Sequence, residues 1–252
     1  MPQVRDLSVV DVPGGCILTS CDISAGFGEK AHDGLVVTPE VTARLTLRVA
    51  LLEMIASGAN VVSVSDVVGA EMEPTGRRII IGLKEELSKA NLNHIELNGS
   101  TEENMKVTQT SVGVLVTGFA TKAALKLINV HEAAVLFAFG EPIVGEEVLQ
   151  KMTEMPDYHL VKKLVADSSV LEVVPVGSKG ILYEANLLAK LNNRVFKETS
   201  SLDEISLNKT AGPASVILAA VKKKDCSIFE KHFSGAQYLG ELCGNEEQIC
   251  LK

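Results

Sequence analysis

The sequence predicts an α/β protein, of the α+β kind, in which two subdomains each carry a mixed or antiparallel sheet covered by helices. Two observations lead there. Short runs rich in Val, Ile and Leu recur at strand length with helical patterns between them, and the second half of the chain repeats the style of the first. The 252 residues suit one large domain or two modest ones. No linker rich in Pro, Ser or Gly separates the halves, so the division is placed at 1–122 and 123–252, with the two parts packed closely.

Residues 15–22 read as a strand that ends on Asp22, followed by the glycine loop AGFGEK. After Pro39 a helix runs through EVTARLTLRVALLEMIAS, with Gly58 as its stop. Its apolar residues cover most of the circumference, which predicts a largely buried helix. NVVSVSDVVG is β-rich, and a second helix is expected from near Glu73 to Ala90, beginning after Pro74 and showing EELSK to water. HIEL is a short strand, NGSTEEN a turn, and KVTQTSVGVLVTGFA a long strand that closes the first subdomain. In the second, AAVLFAFGEP is a strand into a turn, 145–166 holds one or two helices, and VLEVVPVG is a strand. SKGILYEANLLAKLNN follows as an amphipathic helix, GPASVILAAV as a strand, CSIFEKHF as a short helix and AQYLGEL as the last strand.

Composition removes several function classes. Apolar residues make up 46% of the chain, yet no run approaches the roughly 20 residues of a membrane helix. The first residues carry no basic start followed by an apolar stretch, which places the protein in the cytoplasm. A net charge of −8 lacks the basic stripe that phosphate backbones demand, so no nucleic-acid partner is expected. Cys16, Cys21, Cys226, Cys243 and Cys250 form no metal-ligand pattern and read as reduced thiols. There is no histidine pair at metal spacing, no G-x-S-x-G elbow and no G-x-x-x-x-G-K-[ST] loop. GFGEKA matches G-x-G-x-x-A, but HDGLVVTP intervenes before any helix can meet a pyrophosphate, and the dinucleotide reading is rejected.

The remaining candidates are acidic. Asp22 lies where a rigid strand is expected to give way to a loop, and a carboxylate there suits either Mg²⁺ or an ordinary turn. Lys30 is either a phosphate partner or a surface cation. Glu53 stands inside an apolar helix with no cation three or four positions away, so it must reach water, a metal or another segment. Arg44 is better placed to pair with Glu40. In NGSTEEN the adjacent Glu102 and Glu103 would point to opposite faces of a strand.

Taken together, TSCD, GFGEK, ALLEMIASGAN and NGSTEEN resemble the PurM-like superfamily, which includes aminoimidazole ribonucleotide synthetase, thiamine-monophosphate kinase and selenophosphate synthetase. VLEVVPVGSKGILYEANLLAK and AGPASVILAAV resemble the same family's later segments, so the likeness spans nearly the whole chain. It implies a two-subdomain PurM-like fold whose first part binds ATP and Mg²⁺ and pairs with its copy in a homodimer. By the same likeness Asp22, Glu53, Glu102 and Glu103 are metal ligands. Gly26, Gly28, Lys30, Gly99, Ser100 and Thr101 contact the nucleotide, and Lys30 and Glu102 act in catalysis. The family's Gly-x-Gly-Asp-Asp segment is not found ahead of Asp22, and GSKG lacks its aspartate. Within the superfamily the S-x-D-x-S-x-x-x-G-E-K run and GSTEEN look most like the branch for α-ribazole phosphate formation in cobalamin lower-ligand salvage. That branch implies a kinase with a nucleoside-like acceptor. A ligase of the same fold and a non-catalytic nucleotide-binding dimer are the alternatives.

Overall fold

A computed structural model of the chain describes residues 3–199 and 202–244. They fall into two compact units, Met1–Leu125 and Lys126–Lys252. Cys250 lies outside the described residues. No described helix is long and apolar enough to cross a membrane.

The first unit contains strands β1 (Gln3–Val4), β2 (Leu7–Val12), β3 (Gly15–Ala25), β4 (Phe27–Gly28) and β5 (Leu35–Val36), then helix α1 (Pro39–Ala56). Strand β6 (Asn60–Val68), helix α2 (Arg77–Lys89), and strands β7 (Leu97–Thr101) and β8 (Ser111–Ala120) complete it. The main sheet has the order β1-β2-β3-β8-β6-β7, antiparallel throughout except where β7 runs parallel to β6. Strands β4 and β5 form a small separate parallel pair.

Period-two alternation decides which side of the sheet meets the helices. Leu18, Ser20, Asp22 and Ser24 of β3 share one face with Val112, Val114 and Val116 of β8 and with Val64, Asp66 and Val68 of β6, as their register shows. Helix α1 lies on that face: the Ser20 hydroxyl donates to Ala50 O at 2.8 Å, and the Thr46 hydroxyl to Ser24 Oγ at 2.8 Å. Pro39 opens α1 at a position where its missing N–H costs nothing. The opposite face of the sheet is open and apolar. Ile23 is 68% exposed, Val67 63%, Val62 59% and Leu115 44%, large values for such side chains.

Several expectations need correction here. Strand β3 does not stop at Asp22 but continues to Ala25, because β8 supplies backbone partners as far as Ser111. Residues 98–101 are strand rather than turn, since β6 pairs with Leu97–Thr101 in parallel, and of the expected HIEL strand only Leu97 belongs to it. The second helix begins at Arg77, after one irregular turn at Met72–Gly76. EELSK is not wholly wet: Glu86 and Leu87 are buried, with Lys89 Nζ 3.3 Å from the Glu86 carboxylate. Arg44 pairs with Glu85 at 2.9 Å, leaving Glu40 to Arg78.

The second unit contains β9 (Ala134–Gly140), α3 (Glu146–Lys151), α4 (Tyr158–Ala166), β10 (Val170–Pro175), α5 (Ile181–Leu191), β11 (Arg194–Glu198), α6 (Glu204–Asn208), β12 (Val216–Lys222), α7 (Cys226–His232) and β13 (Gln237–Gly244). Its sheet, β10-β12-β9-β13-β11, is antiparallel throughout. Strands β9 and β12 are buried along almost their whole length, as continuous apolar runs require, and β10 is buried with one acid, Glu172, among its apolar residues. Leu136, Ala138 and Leu218 pack with Ile181, Ala185 and Leu188 of α5. On the alternate positions Phe137 meets Phe229 of α7 with ring centroids 5.0 Å apart. At the outer edge of β10 the Lys126 ammonium donates to Val170 O at 2.8 Å and the Asn129 amide to Leu171 O at 3.0 Å.

Candidate functional site

At one end of the first unit's sheet, three loops come together: 26–38 after β3, 69–76 after β6 and 102–110 before β8. Backbone bonds knit them. Gly26 N donates to Thr110 O at 2.9 Å, His32 N to Thr108 O at 2.9 Å, and Glu102 N to Val68 O at 3.0 Å.

Asp33 is the organiser of the first loop. Its carboxylate accepts from Lys30 N, Thr110 N and the Thr110 hydroxyl, each at 2.8 Å. Burial alone would raise its pKa, but the Thr110 and Lys30 hydrogen bonds together hold it below the usual value. Gly28 belongs to the same knot: a Cβ there would stand 2.1 Å from Thr110 Oγ1 and 2.5 Å from Asp33 Oδ2. The loop can fold on Thr110 only with hydrogen at that position. Gly26, at φ +77°, turns the chain between β3 and β4.

Lys30 reaches across to Glu71, its Nζ lying 2.7 and 3.0 Å from the two carboxylate oxygens. The Thr75 hydroxyl donates to Glu71 Oε1 at 2.5 Å. Burial pushes the Glu71 pKa up, yet the Lys30 and Thr75 contacts outweigh it and bring the carboxyl down to about 2. Glu103 ties the third loop to the second, accepting from Met72 N at 2.7 Å and from the Thr101 hydroxyl at 2.8 Å. Glu102 folds back on its own loop, accepting from Asn104 N at 2.7 Å and Met105 N at 3.2 Å. Arg78, at the start of α2, bridges Glu29 at 2.5 Å and Glu40 at 2.7 Å. This end of the sheet is thus a lattice of acids and cations in which Lys30 is held extended and already paired.

The other two acids named from sequence lie elsewhere. Asp22 is inside β3, half-buried and opposite Val114, and desolvation pushes its pKa up to about 6, with the nearby Asp6 charge adding to the rise. Glu53 is buried in α1, 6% exposed. Across the sheet, Asp66 faces the same Val114 from the β6 side, is buried, and is likewise raised by desolvation. Its carboxylate lies over Gly99, where a Cβ would be 2.4 Å from Asp66 Cγ. Ser100 and Thr101 follow on β7, with Ser100 exposed. Among the described residues no group of three or more His, Cys, Asp or Glu stands close enough to hold a metal ion. The structure therefore ties Lys30 to Glu71, and Thr101 and Glu103 to the neighbouring Met72, while Asp22 lies within β3. Among the described residues, Asp22, Glu53, Glu102 and Glu103 are not gathered into such a group.

Sequence reasoning missed Asp33, Asp66, Glu71 and Thr75. For Asp66 a signal existed, because alternation in VSVSDVV puts it on the face of Val64 and Val68. For Glu71 none did, since its partner Lys30 is 41 positions away.

No protein-family model matches the sequence, and no curated protein matches it. Solved structures do, and they show the fold. The thiamine monophosphate kinase of Aquifex aeolicus is 15% identical, covering 96% of this chain and 89% of its own, at a TM-score of 0.67. AaThiL complexed with AMPPCP and TMP is 12% identical, over 95% of this chain and 85% of its own, at 0.65. A chain of the HypE–HypF complex is 13% identical, over 94% and 87%, at 0.63. The fold is the mixed α/β, PurM-like one.

Proposed function

We propose that the chain is an ATP-dependent small-molecule kinase that binds its nucleotide at the end of the first sheet, where the three loops meet, with α-ribazole as the acceptor. The observation that carries this reading is the fold shared over 95% of the chain with AaThiL, whose structure holds AMPPCP, an ATP analogue, together with TMP. The acceptor comes from the sequence resemblance alone. In the reaction the 5′-hydroxyl oxygen of α-ribazole bonds to the γ-phosphorus, the bond from that phosphorus to the bridging oxygen breaks, ADP leaves and the hydroxyl proton passes to solvent.

Phosphoryl transfer needs positioning and charge neutralisation more than covalent help. Lys30 supplies the cation on entry of a phosphate, exchanging one anionic partner, Glu71, for another. Thr101, whose hydroxyl already donates to Glu103, stands at the end of β7 that leads into the third loop. No step is assigned to Mg²⁺, because among the described residues no three such side chains gather as a metal group.

That scatter favours a second reading, a dimer that binds nucleotide without turning it over. Both readings include pairing of two copies through the open face of the first sheet. Val10, Ile17, Cys21, Ile23, Val67 and Leu115 stand there with serine, threonine and glycine between them, and none of these strand positions is charged. An uncharged apolar surface of this kind favours burial. The deciding experiment is a mass-spectrometric assay with Mg·ATP and a nucleoside panel that includes α-ribazole. Phosphorylated α-ribazole with matching ADP is the expected result. Binding of ATP with no product from any acceptor would replace the kinase by the binding dimer.

A further inference from the structure

The second unit carries a cavity of about 220 Å³ at the end of its sheet where β9 finishes and β12 and β13 begin. It is smaller than the roughly 300–1,000 Å³ of pockets that take drug-sized ligands, a size that suits only a smaller molecule.

Its walls are fixed by packing rather than left open by chance. Ser215 is wholly buried, and its hydroxyl donates to Glu141 O at 2.8 Å while accepting from Ile143 N at 3.1 Å. One side chain therefore sets the course of the segment 141–143. Gly140, at φ +89°, lets that segment leave β9, and a Cβ there would lie 2.3 Å from Ser215 O and 2.8 Å from Pro156 Cδ. The facing wall comes from the end of α3 and the turn after it, through Lys151, Glu154 and Met155.

The lining has a definite chemistry. Lys151 is engaged by Glu141 at 2.9 Å. Glu154 acts on the same Lys151 charge from beyond ion-pair distance, so the pocket holds two carboxylates against one ammonium and its outstanding charge is negative. Gln237 adds an amide that can donate or accept. Ile143 and Met155 supply apolar surface, and methionine adapts to the shape of what it covers.

We propose that this pocket binds a small organic cation, a primary ammonium on a short apolar body, with the ammonium at Glu154 and Gln237 and the body on Ile143 and Met155. The site is independent of the nucleotide reading and stands or falls without it.

The test uses the full chain labelled with ¹³C at the methionine methyls, the Met155 signal being assigned by Met155→Leu. Phenethylammonium is titrated alongside 2-phenylethanol and 3-phenylpropionate as its neutral and anionic counterparts. The expected result is a saturable shift of Met155 by the ammonium alone, weakened about tenfold in Glu154→Gln, as for loss of a charge-assisted contact. The unshifted methyl signals show that the variant is folded. Equal response to the alcohol, a Glu154→Gln affinity unchanged within about twofold, or no Met155 shift up to about 10 mM ligand would each overturn the proposal.

Discussion

The two sheets of this chain are dressed differently. In the second unit α5 covers one face and α7 meets the other through Phe137, and β9 and β12 answer with unbroken apolar runs, AVLFAFG and VILAAVK. In the first unit α1 and α2 lie on one side only, and β3 alternates as GCILTSCDISA. Its outward positions nonetheless include Ile17, Ile23 and Leu115, where a sheet facing water would present polar groups. Its inward positions include Asp22 and Asp66, where a core would be apolar. The second unit thus covers both faces of its sheet and buries one strand acid, Glu172, whereas the first leaves apolar groups on an uncovered face and sets Asp22 and Asp66 beneath its helices.

The sharpest test of this two-sided covering is Phe229→Ala. The ring is wholly buried and stacks on Phe233 at 4.6 Å, so its removal is expected to destabilise the second unit by about 3–5 kcal/mol in urea unfolding. The contrast with the first unit fails if the loss stays below about 1 kcal/mol.

Ile23→Lys probes the open face. A charge at a residue 68% exposed in the single chain costs the monomer little, about 0.5 kcal/mol, but buried in a pair it costs several. Light scattering is expected to show a dimer for the parent and a monomer for the variant. Equal masses would remove the open face from the interface.

Asp22 gives the pH prediction. Its folded pKa, about 6, is raised above the ordinary 3.8, so the folded state holds a proton that the unfolded state has lost. Stability therefore falls as pH rises through that window, by on the order of 3 kcal/mol, and levels off above it. Asp22→Asn is expected to flatten the slope between pH 4 and 6 in denaturant titrations, whereas an unchanged slope would assign it to another group.

The smallest expected effect is that of Glu71→Gln, which releases Lys30 from its carboxylate. ATP binding should tighten severalfold, by about 1 kcal/mol, measured by calorimetry. Weaker binding would mean that Glu71 serves to orient Lys30 rather than to compete for it.

The same contrast explains what could be read from sequence. The β9, β12 and α1 patterns are strong because burial on all sides writes itself into consecutive residues. Strand β7 was missed because LNGST has no apolar pattern; it is strand only because β6 lies beside it. Strand β2 was missed too, although the Pro13–Gly14 turn between it and β3 was a visible hairpin signal. Strand β11 and helix α6 also went unread, each only five residues long. In the candidate site Lys30 was visible through its glycine loop. Glu71 and Thr110 became visible only when strands distant in sequence brought their loops to one end.

The ends of the sheets have a consequence for how copies of the chain meet. An unprotected edge strand invites a further strand, and repeated edge pairing builds open-ended fibrils. Here Lys126 and Asn129 occupy carbonyls on the free side of β10, β1 is two residues long, and β7 offers Asn, Gly, Ser and Thr. Sideways growth is discouraged at each of these edges, whereas the first unit's apolar surface faces perpendicular to the strands. Association through such a face can close after two copies, whereas edge pairing repeats without limit.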